Sequence, residues 1–358
     1  MRRSARAPWA RRQSAIHFYA SHHDRAMEEL RKLVGKYSAT AILEKGSTRA
    51  LVFERGARLL ALSVGGVNPL WVNPALEKVL ETGGWNTGGL RLWISPERSF
   101  YYEKPETFEG WFCPVGVDPG NFKLVHAEPS RAVLEGVVEA LDRATGWRLR
   151  ARVRREFQLV AEDRLLVRDV AVAEYPGDFN LWALAQVEPG AHGTAIVPTK
   201  RGTQPVHYFG PIPQDRLAVK DDHVAFKIDG ARVCKLGVRP EDLTVEGSAA
   251  IAYVAELGGK WVLLLMRTYD APRGQGECLD PAKADPAGPK GCVQSYNSGP
   301  EAGPERFGEI ELHFKPAVEV GGCKVAYAEY ELVFVSGSRE EVLERLKREL
   351  GLREASLF

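Results

Sequence analysis

A strict alternation of arginine with apolar residues constrains this chain most. At 147–154 it reads Trp-Arg-Leu-Arg-Ala-Arg-Val-Arg. A period of two belongs to a strand with one face on a core and the other toward water. Trp147, Leu149, Ala151 and Val153 are therefore expected inward. Arg148, Arg150, Arg152 and Arg154 are expected outward, toward solvent rather than a partner. Comparable runs recur at 48–54, 58–64, 132–139, 164–173, 181–187, 249–255, 260–268, 308–314 and 325–335. Turn residues such as Tyr-Pro-Gly-Asp and Ile-Asp-Gly separate them. The 35 glycines and 22 prolines suit many short strands.

Helices are few. One is expected near 27–35 and one at 339–350. Ser338 and Glu341 make a capping-box spacing there, Gly351 is a natural stop, and Val342, Leu343, Leu346 and Leu350 form the apolar stripe. Strands do not alternate with helices, which disfavours a doubly wound nucleotide fold. Neither a repeat nor a disordered linker divides the strand region. The expectation is one large two-sheet antiparallel β-sandwich over residues 27–358 with short terminal helices. Residues 1–26 form a basic extension that is left out of this reading, with Met27 as an alternative start.

Apolar residues make up 44%, charged residues 27%, and the formal net charge is +1. That balance gives no basis for a nucleic-acid or membrane-surface partner. No run approaches the roughly 18 apolar residues of a membrane-spanning helix. A cytoplasmic location is expected. Abundant Arg and Glu with three Met suggest a heat-adapted source. The five cysteines contain no C-x-x-C pair, so neither a metal nor a cofactor is expected. Cys278 and Cys292 bracket a Pro/Gly-rich segment. A disulfide there would add roughly 3 kcal/mol, but two separate thiols are the expectation.

Three segments carry residues suited to chemistry. In 83–97, GGWNTGGLRLWISPE, a strand would set Arg91 beside Trp93 with Glu97 at its end. A guanidinium donates to hydroxyls and an indole packs on sugar C–H groups; on residue types alone an Arg stacked on a surface Trp with Glu97 as ion partner is the favoured reading. In 181–188, Trp182, Leu184 and Gln186 share a face, and a buried Gln186 needs a partner from ligand or backbone. In 292–314, Glu309, Glu311 and His313 line one face, and Gln294 and Tyr296 share another, with Asn297 one step on. Carboxylates beside an imidazole suit acid–base work near neutral pH, although a solvated outer face has the same spacing. His192 reads better as a turn residue than as an acid. Asp221, Asp222 and His223 read better as a turn than as a metal cluster. Residues 65–76, with Trp71, read as an ordered wall loop.

Together GGLRLWISPE, the Leu-Trp-x-x-x-Gln strand and Gln-Ser-Tyr-Asn…Phe-Gly-Glu-Ile-Glu resemble an uncharacterised branch of the galactose-mutarotase-like superfamily over about residues 38–336. The resemblance implies a sandwich with a sugar on the concave face of one sheet. It implies Glu311 as general base, Glu309 second, and Arg91 as the parallel of an early arginine. The epimerases' Asn-His strand is replaced here by Phe179-Asn180-Leu181-Trp182, and their early histidine beside a Gly-Gly pair is missing. The general acid is thus unassigned, with His313 and His192 as candidates. The implied function is sugar or oligosaccharide binding, with anomer interconversion as its enzymatic version. A non-catalytic binding protein, or a relative of polysaccharide lyases and glycoside hydrolases, is the alternative. Arg91 would suit a phosphate or uronate as well as a neutral sugar, and the oligomeric state is open.

Overall fold

The computed structural model describes residues 25–358, so the expectations for residues 1–24 lie outside it. Two large antiparallel sheets face each other. The first orders its strands Thr40–Lys45, Thr48–Phe53, Arg58–Ser63, Leu90–Ser95, Asn180–Val187, Gly308–Pro316, Val293–Asn297, Cys234–Val238 and Val206–His207. The second is built around Ala249–Leu257, Lys260–Thr268, Cys323–Gly337, Arg164–Ala173, Arg148–Ala161 and Arg131–Leu141. A two-stranded hairpin, Tyr102–Lys104 with Glu109–Trp111, stands apart from both. The β-sandwich and each of the expected strand runs are present.

Apolar residues from both inner faces fill the space between the sheets. Ile310, Leu312 and Phe314 of one sheet share a core with Tyr330, Leu332 and Phe334 of the other. The Arg148–Ala161 strand keeps its alternation through Arg154: Leu149, Ala151 and Val153 are buried and the arginines between them exposed. Arg150 pairs with Glu139 and Arg154 with Glu135 on the neighbouring strand. One departure precedes it: Trp147 is 46% exposed rather than inward, because it lies before the strand and meets the edge of Tyr175. The burial alternation continues to Leu159, so Arg155 takes an inward position and is fully buried against Asp169, Nε to Oδ1 3.2 Å.

Gly88 and Gly89 bring the Leu90 strand close to its neighbours. Both have positive φ, and a Cβ on Gly89 would lie 2.4 Å from the Leu59 carbonyl oxygen. Only glycine fits such a position without moving backbone.

Residues 25–34 are helical, and Arg339–Leu350 forms the closing helix. Ser338 Oγ accepts from the Glu341 N–H, Glu341 accepts from the Ser338 N–H, and Gly351 ends the helix in the left-handed region. Val342 and Leu346 pack on Leu263, Leu265 and Val333 behind the second sheet. Ser338→Ala should therefore lower stability by about 1 kcal/mol in urea denaturation; an unchanged midpoint would mean that packing alone holds this helix.

Candidate functional site

The face of the first sheet turned away from the core carries the chemistry, and strand register explains why. Gln186, Glu309, Tyr296 and Lys235 are successive cross-strand partners in one row. Arg91, Leu184, Glu311 and Gln294 form the next row. Trp93, Trp182 and His313 form a third. Side chains two apart on a strand share a face, so these rows converge on one surface.

The flanking loops raise that surface into an open cleft of about 270 Å³. One wall is indole: Trp85 lies 5.4 Å from Trp93 and 5.7 Å from Trp111, ring centre to ring centre. The other is Tyr296, flanked by Phe209 at 6.2 Å and Phe307 at 5.7 Å. Trp182 and Leu184 lie between, and Glu97, Tyr102, Lys235, Arg91 and Glu309 complete the lining. Trp71 of the 65–76 loop packs behind Phe307 at 5.0 Å, so that loop backs the wall.

Most polar groups are held, but Arg91 Nε and Nη1 and Glu311 Oε1 have no hydrogen-bond partner among the described residues. Arg91 Nη2 donates to Glu309 Oε1 at 2.5 Å, and its guanidinium stacks over Trp93 at 4.0 Å. Trp93 in turn donates its indole N–H to Asp118 at 2.9 Å, which also pairs with Arg58. Glu97 accepts from the Trp111 indole at 2.9 Å, while its own backbone N–H donates to Asp280 at 2.9 Å. Lys235 Nζ sits 3.4 Å from Glu311 and 3.7 Å from Glu97, over the Trp182 ring at 4.7 Å.

Charge is crowded here. Burial pushes the Glu311 carboxyl up to about 8, against the pull of Lys235 and with help from Glu309 and Glu97. Burial likewise raises Glu309, and Arg91 opposes it. Asp280 is pushed to about 7 by burial and by Glu97. Burial pulls the Lys235 ammonium down, but Glu311, Glu97, Asp280 and Glu309 together outweigh it, so its pKa lies above the ordinary lysine value. Burial favours neutral carboxyls while the carboxylates favour a charged lysine. The resulting state is a cationic Lys235 beside a Glu311 that holds its proton near neutrality. His313 is driven well below the usual histidine range by burial and by Lys235, so it is a neutral imidazole.

Arg91, Trp93, Glu97, Trp182, Tyr296 and Glu309, all singled out from sequence, line the cleft. Glu97 comes from the short Glu97–Phe100 helix, not from a strand end. Glu311 is on the same face but has no exposed surface; the Trp182 indole N–H donates to it at 3.0 Å and Lys235 covers it. His313 lies stacked under Trp182 at 4.8 Å. Gln294 is tied to the Tyr208 hydroxyl at 2.8 Å, and Gln186 donates to Asn86 at 2.9 Å. Asn297 points to the other side of its strand, accepting the Asp229 and Gly230 N–H groups and donating to the Arg232 carbonyl. It is a loop anchor, because a one-residue step along a strand reverses the face. His192 is a turn residue with positive φ, stacked on Trp261 of the second sheet.

Asp222 pairs with His223, and among the described residues no His, Cys, Asp and Glu group could hold a metal. The five cysteines are free, and the neighbouring Cys278 together with burial holds the Cys292 thiol well above its ordinary value. Sequence reasoning missed Lys235, Trp85, Trp111, Phe209 and Phe307. Lys235 alone left a signal, a lone charge inside the apolar run Val-Cys-Lys-Leu-Gly-Val.

Residues 167–310 match a family of unknown function, DUF6786. No curated protein matches the chain. Among solved structures, the galactose mutarotase related enzyme of Lactobacillus acidophilus is similar at 8% identity and TM-score 0.49, over 84% of this chain and 99% of that one. The aldose epimerase homologue of C. elegans is similar at 10% identity and TM-score 0.43, over 84% and 99%. Among the described residues no helix is long and apolar enough to cross a membrane.

Proposed function

We propose that the cleft binds a sugar. The observation that carries this reading is a pair of aromatic walls with hydrogen-bonding groups set between them. A pyranose presents C–H faces that pack on rings and hydroxyls that both donate and accept. Trp111 and Tyr296 supply faces, and Glu309, Glu97, Tyr296 and Lys235 supply the polar partners. Protein pockets of a few hundred Å³ with a few fixed polar groups are typical of small-molecule sites.

A second reading adds catalysis to binding, as interconversion of anomers. Its support is the row in which Glu309 and Lys235 flank Tyr296 on three neighbouring strands. Two strand spacings separate Glu309 and Lys235 by roughly 9–10 Å at the backbone, which leaves room for a ring above Tyr296. Glu309 would take the anomeric proton and Lys235 would donate to the ring oxygen, with Glu97 as the counter-charge of Lys235 and Glu311 sealed beneath it. This shifts the base from Glu311, which does not line the cleft, to Glu309.

Four tryptophans line the cleft, so sugar binding should change the intrinsic fluorescence. Trp111 is 41% exposed, so Trp111→Ala should leave folding nearly intact and weaken binding by about three- to tenfold. Exchange spectroscopy on the sugar that binds should show accelerated anomer exchange, abolished in Glu309→Gln, if the catalytic version holds. A fluorescence titration flat across a broad sugar panel would remove the binding reading itself.

A further inference from the structure

The two cations that line the cleft are already matched by carboxylates. Arg91 gives its Nη2 to Glu309 at 2.5 Å and lays its guanidinium on Trp93 at 4.0 Å and toward Trp85 at 5.1 Å. Lys235 lies between Glu311 at 3.4 Å and Glu97 at 3.7 Å, with the Trp182 ring beneath it. Both are almost completely buried, Arg91 at 2% and Lys235 at 4% exposure. Arg91 Nε and Nη1 have no hydrogen-bond partner but are sealed from solvent, so neither cation can reach an incoming anion without moving away from its carboxylate.

Glu309 matches Arg91 and Glu97 matches Lys235, while Glu311 and Asp280 lie behind them, Asp280 hydrogen-bonded to the Glu97 backbone. At the rim Lys283 reaches to 6.0 Å from the Tyr102 ring centre, but its charge also falls on Glu109. Glu301 adds negative charge near Tyr296. A phosphate or a uronate entering this cleft would meet Glu309 and Glu97 beside cations already paired with them, with Lys283 exposed only at the rim. Like charges brought together under reduced screening are strongly disfavoured, and such repulsion is a common means of discrimination. A hydroxyl can donate to these carboxylates without penalty, and an ammonium group would be attracted to them.

Resting on the sugar reading above, we infer that the cleft selects uncharged or amino sugars and rejects uronates and sugar phosphates. This reverses the expectation that Arg91, met as a lone arginine in the sequence, suits an anionic sugar equally well.

The test is calorimetric titration of the full chain at neutral pH and physiological salt with matched sets. These are glucose, glucosamine, glucuronate and glucose 6-phosphate, with the corresponding galactose series. The neutral or amino member should bind, and its anionic counterparts should be weaker by about tenfold or more. An anionic member binding as tightly as its neutral counterpart, or more tightly, overturns the inference while the sugar reading stands. Absence of binding by every member overturns both. Glu309→Gln frees the Arg91 guanidinium and should bring the uronate within about threefold of the neutral sugar. Glu97→Gln makes the same test from the Lys235 side should the first variant fail to fold. Undiminished discrimination in a folded variant contradicts the charge mechanism.

Discussion

Lys235→Met is expected to lower the unfolding free energy by about 3–5 kcal/mol, the usual cost of removing one partner from a buried ion pair. The methionine fills the space under the cleft but leaves Glu311 and Glu97 without their cation. The loss should grow with pH. Glu311 is raised by burial to about 8 from an ordinary value of 4.5. A carboxyl raised in the folded state binds its proton more tightly there than in the unfolded chain. Its stabilising contribution is complete below pH 4.5 and disappears as pH rises through about 8. Asp280 adds to the same slope between 3.8 and about 7. Near pH 5 the variant can keep Glu311 neutral at little cost. Near pH 9 it must either ionise a sealed carboxyl or hold a proton against the solvent. Urea titrations at both pH values check this, and Glu311→Gln should flatten the alkaline loss seen in the native protein. Equal losses for Lys235→Met at both pH values would mean that the carboxyls are not coupled to the lysine.

The second large effect lies between the sheets, away from the cleft. Arg155→Met should cost a similar 3–5 kcal/mol. Arg155 and Asp169 have no exposed surface. The guanidinium also donates to the Tyr330 hydroxyl at 2.8 Å and to the Ala57 carbonyl at 3.2 Å. Among the described residues neither Asp169 oxygen has a hydrogen-bond partner, and burial raises this carboxyl to about 6 even beside Arg155. Without the arginine, Asp169 would be an unpaired acid in an apolar core. Pairing the change with Asp169→Leu removes both charges, and most of the loss should be recovered. A cycle of urea denaturations over the two single variants and the double variant measures this. A cost under about 1 kcal/mol for Arg155→Met would show that the pair contributes no more than an exposed one.

That pair also marks how far the sequence can be read. The alternation at 147–154 names the buried side chains of its strand from Leu149 to Val153, because a period of two is a local property. It fails at Trp147, where the strand has not begun, and although it sets Arg155 inward it does not name the partner, Asp169 of the next strand, that the buried charge needs. The cleft divides in the same way. Arg91 with Trp93, and Tyr296 near Glu309, are legible because residues two apart share a face and the segments alternate. The sealing of Glu311 is not legible, since Trp182 and Lys235 reach it from strands far away in the chain. The indoles of Trp85 and Trp111 come from loops, where periodicity carries no information. Asn297 shows the limit most simply: one step along the strand moved a candidate contact to the opposite side of the sheet.

A crystal structure of the protein grown with the tightest-binding neutral sugar would examine the cleft directly. The ring should lie between the Trp111 and Tyr296 walls, with hydroxyls on Glu309, Glu97 or Lys235. A sugar held at another surface while these side chains keep their present pairings would contradict the assignment.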